Sequence, residues 1–272
     1  MDTLSFFQRV LPTEGLYCIA SFERDNPAPR HGYFDSVEKL AQVALALNSR
    51  GQNTYYAIST FTEKRRKQEF VERTKVLAID VDCGIGKNGK PKPFIDASEG
   101  AKALIAFVKD VGLPMPMIVS SGNGLHIYWI LDVAVAPAQW KPLANALKAA
   151  CLEKGFTPDI GVTGDSARIL RPIGCINPKG NKTAVLLRDA PDVTYNQLWA
   201  VLEPFTHGSS YELPVEQTRS NSLLDNLAVK HEYQPANAER VVAGCQQIKW
   251  GIENQNNVTE PFWWKMMGVA AY

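Results

Sequence analysis

Nothing in the 272 residues pairs cysteine with cysteine, or histidine with histidine, at metal-ligand spacing. The five cysteines (Cys18, Cys83, Cys151, Cys175, Cys245) are scattered without a CxxC, and none of the four histidines stands at zinc-finger spacing, which excludes a structural zinc module and a disulfide scaffold. No apolar run approaches the roughly 20 residues of a membrane span. The opening MDTLSFFQRV lacks a basic region ahead of an apolar one, so the sequence reads as soluble and cytoplasmic, with no membrane partner. Nor does one sign of charge dominate. Lys and Arg number 29 against 28 Asp and Glu, a formal +1, so any preference for nucleic acid must come from local clusters.

What is present is a hydrophobic share of 45%, enough for one large domain and a smaller piece. The pattern predicts strands over 16–22, 54–61 and 75–82. It predicts helices over 36–50, opened by Asp35 and Glu38 at capping-box spacing, and from Ser98 to Gly112 with Ala101, Leu104, Ile105 and Val108 inward. ERDNPAPRHGYF and CGIGKNGKPKPF read as exposed loops. SSGNG joins two strands as a tight turn, and Pro137 starts a helix with Trp140, Leu143 and Leu147 on one side. ARILRPI and TAVLLR read as strands, followed by a short helix at 194–203. Some strands are adjacent and others separated by helices, which predicts a mixed α/β or α+β sheet rather than a doubly wound one. The domain boundaries expected are a catalytic domain at 1–206, a polar linker at 207–235 and an apolar-faced helical segment at 236–272. That segment, rich in tryptophan and methionine, reads as the start of a further domain of a longer protein.

Three stretches carry chemistry. In IDVD, side chains alternate, so Asp80 and Asp82 share a face with Cα atoms roughly 6.6 Å apart. Two carboxylates so placed repel unless a cation lies between them, and Mg²⁺ or Mn²⁺ suits such a pair. A solvated strand end is the alternative, which the buried run VLAI before it disfavours. In SSGNGLH, Gly122 and Gly124 permit conformations closed to other residues. Ser120, Ser121 and Asn123 bring hydroxyl and amide groups to a turn with free N–H donors that can hold a phosphate oxygen. His126 beside it could donate a hydrogen bond or a positive charge to the same anion, or be a core histidine bonded to backbone. The third stretch, PDIGVTGDSARILRPIGCINPKGNK, sets Asp159 and Asp165 ahead of Arg168 and Arg171, with Lys179 and Lys182 beyond. Strand alternation puts the two arginines on opposite faces, so at least one should contact a nucleic-acid backbone or a structural carboxylate.

In order and approximate spacing, the acid pair on a strand, the SxGxGxH turn and the late aspartate with trailing arginines and an Asn-Pro-Lys turn resemble the archaeo-eukaryotic primase superfamily. The likeness is to the primase-polymerase domains of phages and plasmids in particular, and it spans residues 15–205. It implies a mixed-sheet, RRM-like primase-polymerase core followed by a small helical segment. The activity implied is that of a DNA-dependent primase and DNA polymerase in replication, joining NTP or dNTP to a 3′-hydroxyl by a two-metal mechanism with Mg²⁺ or Mn²⁺. Single-stranded DNA would be the template, and a helicase domain in the same longer chain a partner. Residue by residue, Asp80, Asp82 and Asp159 would be metal ligands, with Asp165 the competing choice for the third. Ser120, Ser121, Gly122, Asn123 and His126 would hold the nucleotide's phosphates, and Arg168, Arg171 and Lys179 would grip the triphosphate or template. The sequence departs from the family in RPIGCINPKG, where the order of Pro and Gly is altered, and in the Gly/Lys-rich loop after Asp82.

KRRK at 64–67, with Arg73 and Lys75, could follow a template backbone or be a solvated segment balanced by Glu63, Glu69 and Glu72. Two rival functions remain. A haloacid-dehalogenase-like phosphatase would use Asp80 as nucleophile and Asp82 as acid/base, with Ser120 following, but GDSARI offers one acid where two are needed. A non-catalytic nucleic-acid-binding module would not need all three acids.

Overall fold

The computed structural model describes residues 1–206 except 24–25 and 87–88. The linker expected at 207–235 and the helical segment expected at 236–272 lie outside the described residues. In chain order the elements are α1 (Thr3–Val10), β1 (Tyr17–Glu23), β2 (Asn26–Phe34), α2 (Val37–Ser49), β3 (Asn53–Ala57), β4 (Ser59–Phe61), β5 (Val71–Val81), α3 (Ala97–Val111), β6 (Met117–Ser120) and β7 (Leu125–Val135). There follow α4 (Pro137–Glu153), α5 (Ile160–Thr163), β8 (Ile169–Leu170), β9 (Ile176–Asn177), β10 (Lys182–Thr183), β11 (Val185–Arg188) and α6 (Tyr195–Leu202).

These strands form a four-stranded sheet, β2-β1-β3-β8, a five-stranded sheet, β11-β6-β7-β5-β4, and the small pair β10-β9. Every ladder between these strands is antiparallel. The expected mixture of strands and helices is therefore observed, in an α+β arrangement.

TYYAISTF, expected as one strand, is divided at Ile58: β3 belongs to the first sheet and β4 to the second. The Ile58 N–H leaves the ladder to donate to Arg168 O at 3.0 Å. The sheets meet through the buried hydroxyls of Tyr56 and Tyr128, 3.2 Å apart. Phe6 of α1 packs edge-on against both rings, at 5.5 and 5.8 Å. On the other face of β5, α3 comes close where Gly100 lacks a side chain, since a Cβ there would stand 2.9 Å from Val81 Cγ1. Trp140 of α4 is fully buried and donates its indole N–H to Val76 O at 2.8 Å.

Several expectations are corrected. NPAPRHGYF is not a loop but β2, an edge strand that among the described residues pairs with β1 alone. At an edge the missing N–H groups of two prolines are tolerated. Helix α2 is capped by Ser36 rather than Asp35, its hydroxyl accepting from Lys39 N at 3.3 Å, and α3 by Asp96, whose carboxylate accepts from Ser98 and Glu99 N–H. On α3 the inward residues include Phe107, while Ile105 is exposed.

Candidate active site

The site is built from the register of β5 and β7. Asp80 pairs directly with His126, and Val119 of β6 pairs with His126 from the other side. Cross-strand partners project to the same face. The Asp80 carboxylate and the His126 imidazole consequently stand together, Oδ1 to Nε2 3.9 Å. Asp82 follows as β5 ends, ahead of Gly84 at φ +80°. Asp159 is delivered by its backbone, which donates its N–H to Asp80 O at 2.8 Å. Its carboxylate accepts from Gly161 N–H at 3.0 Å and from Arg168 Nη2 at 3.2 Å.

Burial, then the charges of Asp82 and Asp159, push the Asp80 carboxyl up to about 7, against the pull of Arg168 and Lys92. The sequence-derived acid trio is thus brought together electrostatically. Asp165 stands apart: its carboxylate accepts from Ala167 N at 3.0 Å and Gln68 Nε2 at 2.9 Å, in the turn before Arg168. Burial and the nearby Arg171 charge lower His126 to about 3, offset in part by a hydrogen bond to the Arg171 backbone. Enclosure therefore favours the neutral imidazole over the charged one. Its Nδ1 lies 3.4 Å from the Tyr128 hydroxyl, which continues to Tyr56.

The turn from Ser120 to Gly124 is shaped by two contacts that exclude side chains. Gly122 has φ +98°, and a Cβ on it would lie 2.7 Å from Asn177 Cβ. A Cβ on Gly124 would overlap the Val81 carbonyl. The N–H groups expected to be free are largely taken within the turn: Ser121 N bonds Gly124 O, Gly122 N bonds Ser120 Oγ, and Gly124 N bonds Ser121 Oγ. Hydroxyls close the turn on themselves, leaving the exposed Asn123 side chain as the group that faces the neighbouring cleft. Asn177 joins this turn to the Asn-Pro-Lys turn, donating to Ser121 O at 3.0 Å and accepting from Lys179 N at 3.2 Å.

An open cleft of about 590 Å³ adjoins the acids, lined by Asp82, Lys90, Lys92, Asn123 and Lys179 among others. Lys92 Nζ pairs with Asp82 Oδ2 at 2.5 Å. Arg171, by contrast, is buried and spends its guanidinium on Ile176 O, Asn53 Oδ1 and the Tyr55 hydroxyl at 2.9, 2.6 and 3.0 Å, over the Tyr55 ring. The two arginines diverge as expected, although of the predicted strand ARILRPI only Ile169 and Leu170 between them pair in a sheet. In the basic segment, Arg66 turns inward to Ala167 O and His31, Lys67 pairs with Glu69, and Arg73 and Lys75 bond Ala134 O and Arg9 O. These contacts favour the balanced-segment reading there.

Three carboxylates form an all-oxygen donor set that suits Mg²⁺ or Mn²⁺. Among the described residues no group of three His, Cys, Asp or Glu is arranged to hold an ion as it stands. Asp82 faces Lys92 and Asp159 faces Arg168, so two of the three carboxylates pair with protein cations. The set fits the ion in chemistry, and exchange of those partners is what its binding would require.

The sequence reading missed Tyr128, Asn177 and Lys92. The lysine had a signal, a Gly/Lys/Pro run directly after the acid pair. The tyrosine had only its place two residues beyond His126, on the same strand face.

No family model matches the sequence, and no curated protein does. Solved structures share its fold. The AEP domain of the Cyanophage S-2L primase-polymerase aligns at 16% identity with a TM-score of 0.50, over 69% of this chain and 89% of that one. The catalytic domain of primase RepB′ in complex with initiator DNA aligns at 12% identity with a TM-score of 0.51, over 76% and 95%. The chain therefore has the fold of the archaeo-eukaryotic primase-polymerase domain.

Proposed function

We propose that this domain is a DNA-dependent primase and polymerase that joins NTPs or dNTPs to a 3′-hydroxyl on a single-stranded DNA template, with Mg²⁺ or Mn²⁺. The observation that carries the reading is the placing of Asp80, Asp82 and Asp159 around the end of β5, beside a basic cleft, in this fold. The solved neighbours support it by name, being a primase-polymerase and a primase bound to initiator DNA.

Bound between the carboxylates, divalent ions would acidify the attacking hydroxyl and offset charge on the leaving pyrophosphate. The chain's own residues position and neutralise. Lys179 and Asn123 offer donors to a polyphosphate in the cleft, and Arg168 links Asp159 to the strand that follows it. His126 stands beside Asp80, and to donate to a phosphate it would turn its one N–H away from the Arg171 backbone. Arg171 positions, fixing Tyr55 and the β9 turn behind the imidazole. Little acid-base work falls to side chains, so the rate comes from orientation and electrostatics.

The phosphatase alternative loses its parts. The late acidic pair it needs is absent, since the single Asp165 is turned toward Gln68 and Ala167 N–H. Nucleotide incorporation by Asp80→Ala and Asp82→Ala tests the reading. Each should lose more than about 100-fold in synthesis with far-ultraviolet circular dichroism unchanged. Synthesis retained in either variant would overturn it.

A further inference from the structure

The loop between Asp82 and α3, which the family resemblance does not account for, is built to deliver one ammonium group. Gly84 N bonds Phe94 O, Lys92 N bonds Gly84 O, and Gly86 N bonds Lys90 O, each at 2.8 Å. Phe94 anchors the far end in the core. So framed, Lys92 reaches back to Asp82, and its ammonium also lies in the field of Asp159 and Asp80. The two side chains of the pair are 36% and 47% exposed. An ion pair that open is weak and screened, and a divalent ion on the same carboxylate displaces it. The displaced ammonium, on a flexible stem, remains in a cleft that also holds Lys90 and Lys179. Lys179 lines the same cleft, and its charge together with that of the released Lys92 suits a polyanion.

We propose that Lys92 is an exchangeable counter-ion: it holds Asp82 while no divalent cation is bound, and on cation binding it is released to the polyphosphate of the nucleotide in the same cleft. This rests on the nucleotidyl-transfer reading for its ligand, but its test does not use synthesis. Mn²⁺ binding is measured by the electron paramagnetic resonance of free Mn²⁺, without nucleotide. Lys92→Met should bind Mn²⁺ about five- to tenfold more tightly than the parent, and Lys92→Arg about as the parent does. With Mn²⁺ saturating, a non-hydrolysable nucleoside triphosphate should bind Lys92→Met about tenfold more weakly. A lysine that merely braced the loop would not move the two affinities in opposite directions. Equal Mn²⁺ affinity in parent and Lys92→Met overturns the proposal. Mn²⁺ bound by neither overturns it together with the metal-dependent reading. Opposed shifts in a protein that makes no product uphold Lys92 and remove the polymerase reading alone.

Discussion

At Asp80 a carboxylate sits largely buried beside two others, and function and stability pull apart there. In the unfolded chain it ionises near 3.8, in the fold at about 7, so the folded protein binds the extra proton between those values. Stability from this group is fully present below 3.8 and is lost as pH rises through about 7. Asp80→Asn removes the buried charge. In metal-free buffer at pH 8 it should raise Tm by about 4–8 °C, or ~2 kcal/mol, discounted for partial solvent contact. The gain should shrink as pH falls from 7 toward 4, and an Asn variant less stable than the parent at pH 8 would contradict the burial argument. His126 gives a second check at this scale. With its proton lost near 3, its ring resonances in the metal-free protein should show no titration between pH 5 and 8. A step near 6.5 would mean the imidazole is not enclosed as described.

Among the elements, the β5–β7 pair with its neighbouring turn decides where the acids stand. Gly124 lies tight against the end of β5, since a Cβ on it would overlap the Val81 carbonyl. Gly124→Ala should push the end of β5 and Asp82 away from the turn, lowering synthesis about 10- to 100-fold. The overpacking itself should cost about 1–3 kcal/mol in urea denaturation. Full activity in that variant would show that the two segments need not touch. These elements were legible because their signals are local: an apolar run ending in IDVD, a glycine-serine turn, and a second apolar run behind it. Helix α1 was not, because it is eight residues long and is fixed by contacts far along the chain, such as the Thr3 hydroxyl on Ile173 O. β2 was hidden by its prolines, and Lys92 by a loop composition that normally marks solvent exposure.

Across the described residues, two antiparallel sheets share one core and bring residues from distant parts of the chain to one site beside an open cleft. The five-stranded sheet and its loops supply Asp80, Asp82, His126 and the Ser120–Gly124 turn, while Arg171 follows β8 of the four-stranded sheet. Order of elements announced the α+β class. The way Asp159 docks was beyond sequence, because a backbone N–H on the Asp80 carbonyl leaves no mark in residue type. Among the described residues no helix is long and apolar enough to cross a membrane. The most direct test of the central claim is incorporation of labelled nucleotide on single-stranded DNA, with and without a primer, in Mg²⁺, in Mn²⁺ and in chelator. The account predicts template-dependent product in the metal lanes, none in chelator and none with Asp80→Asn. Product that survives chelator or Asp80→Asn, or no product in any lane, would contradict it.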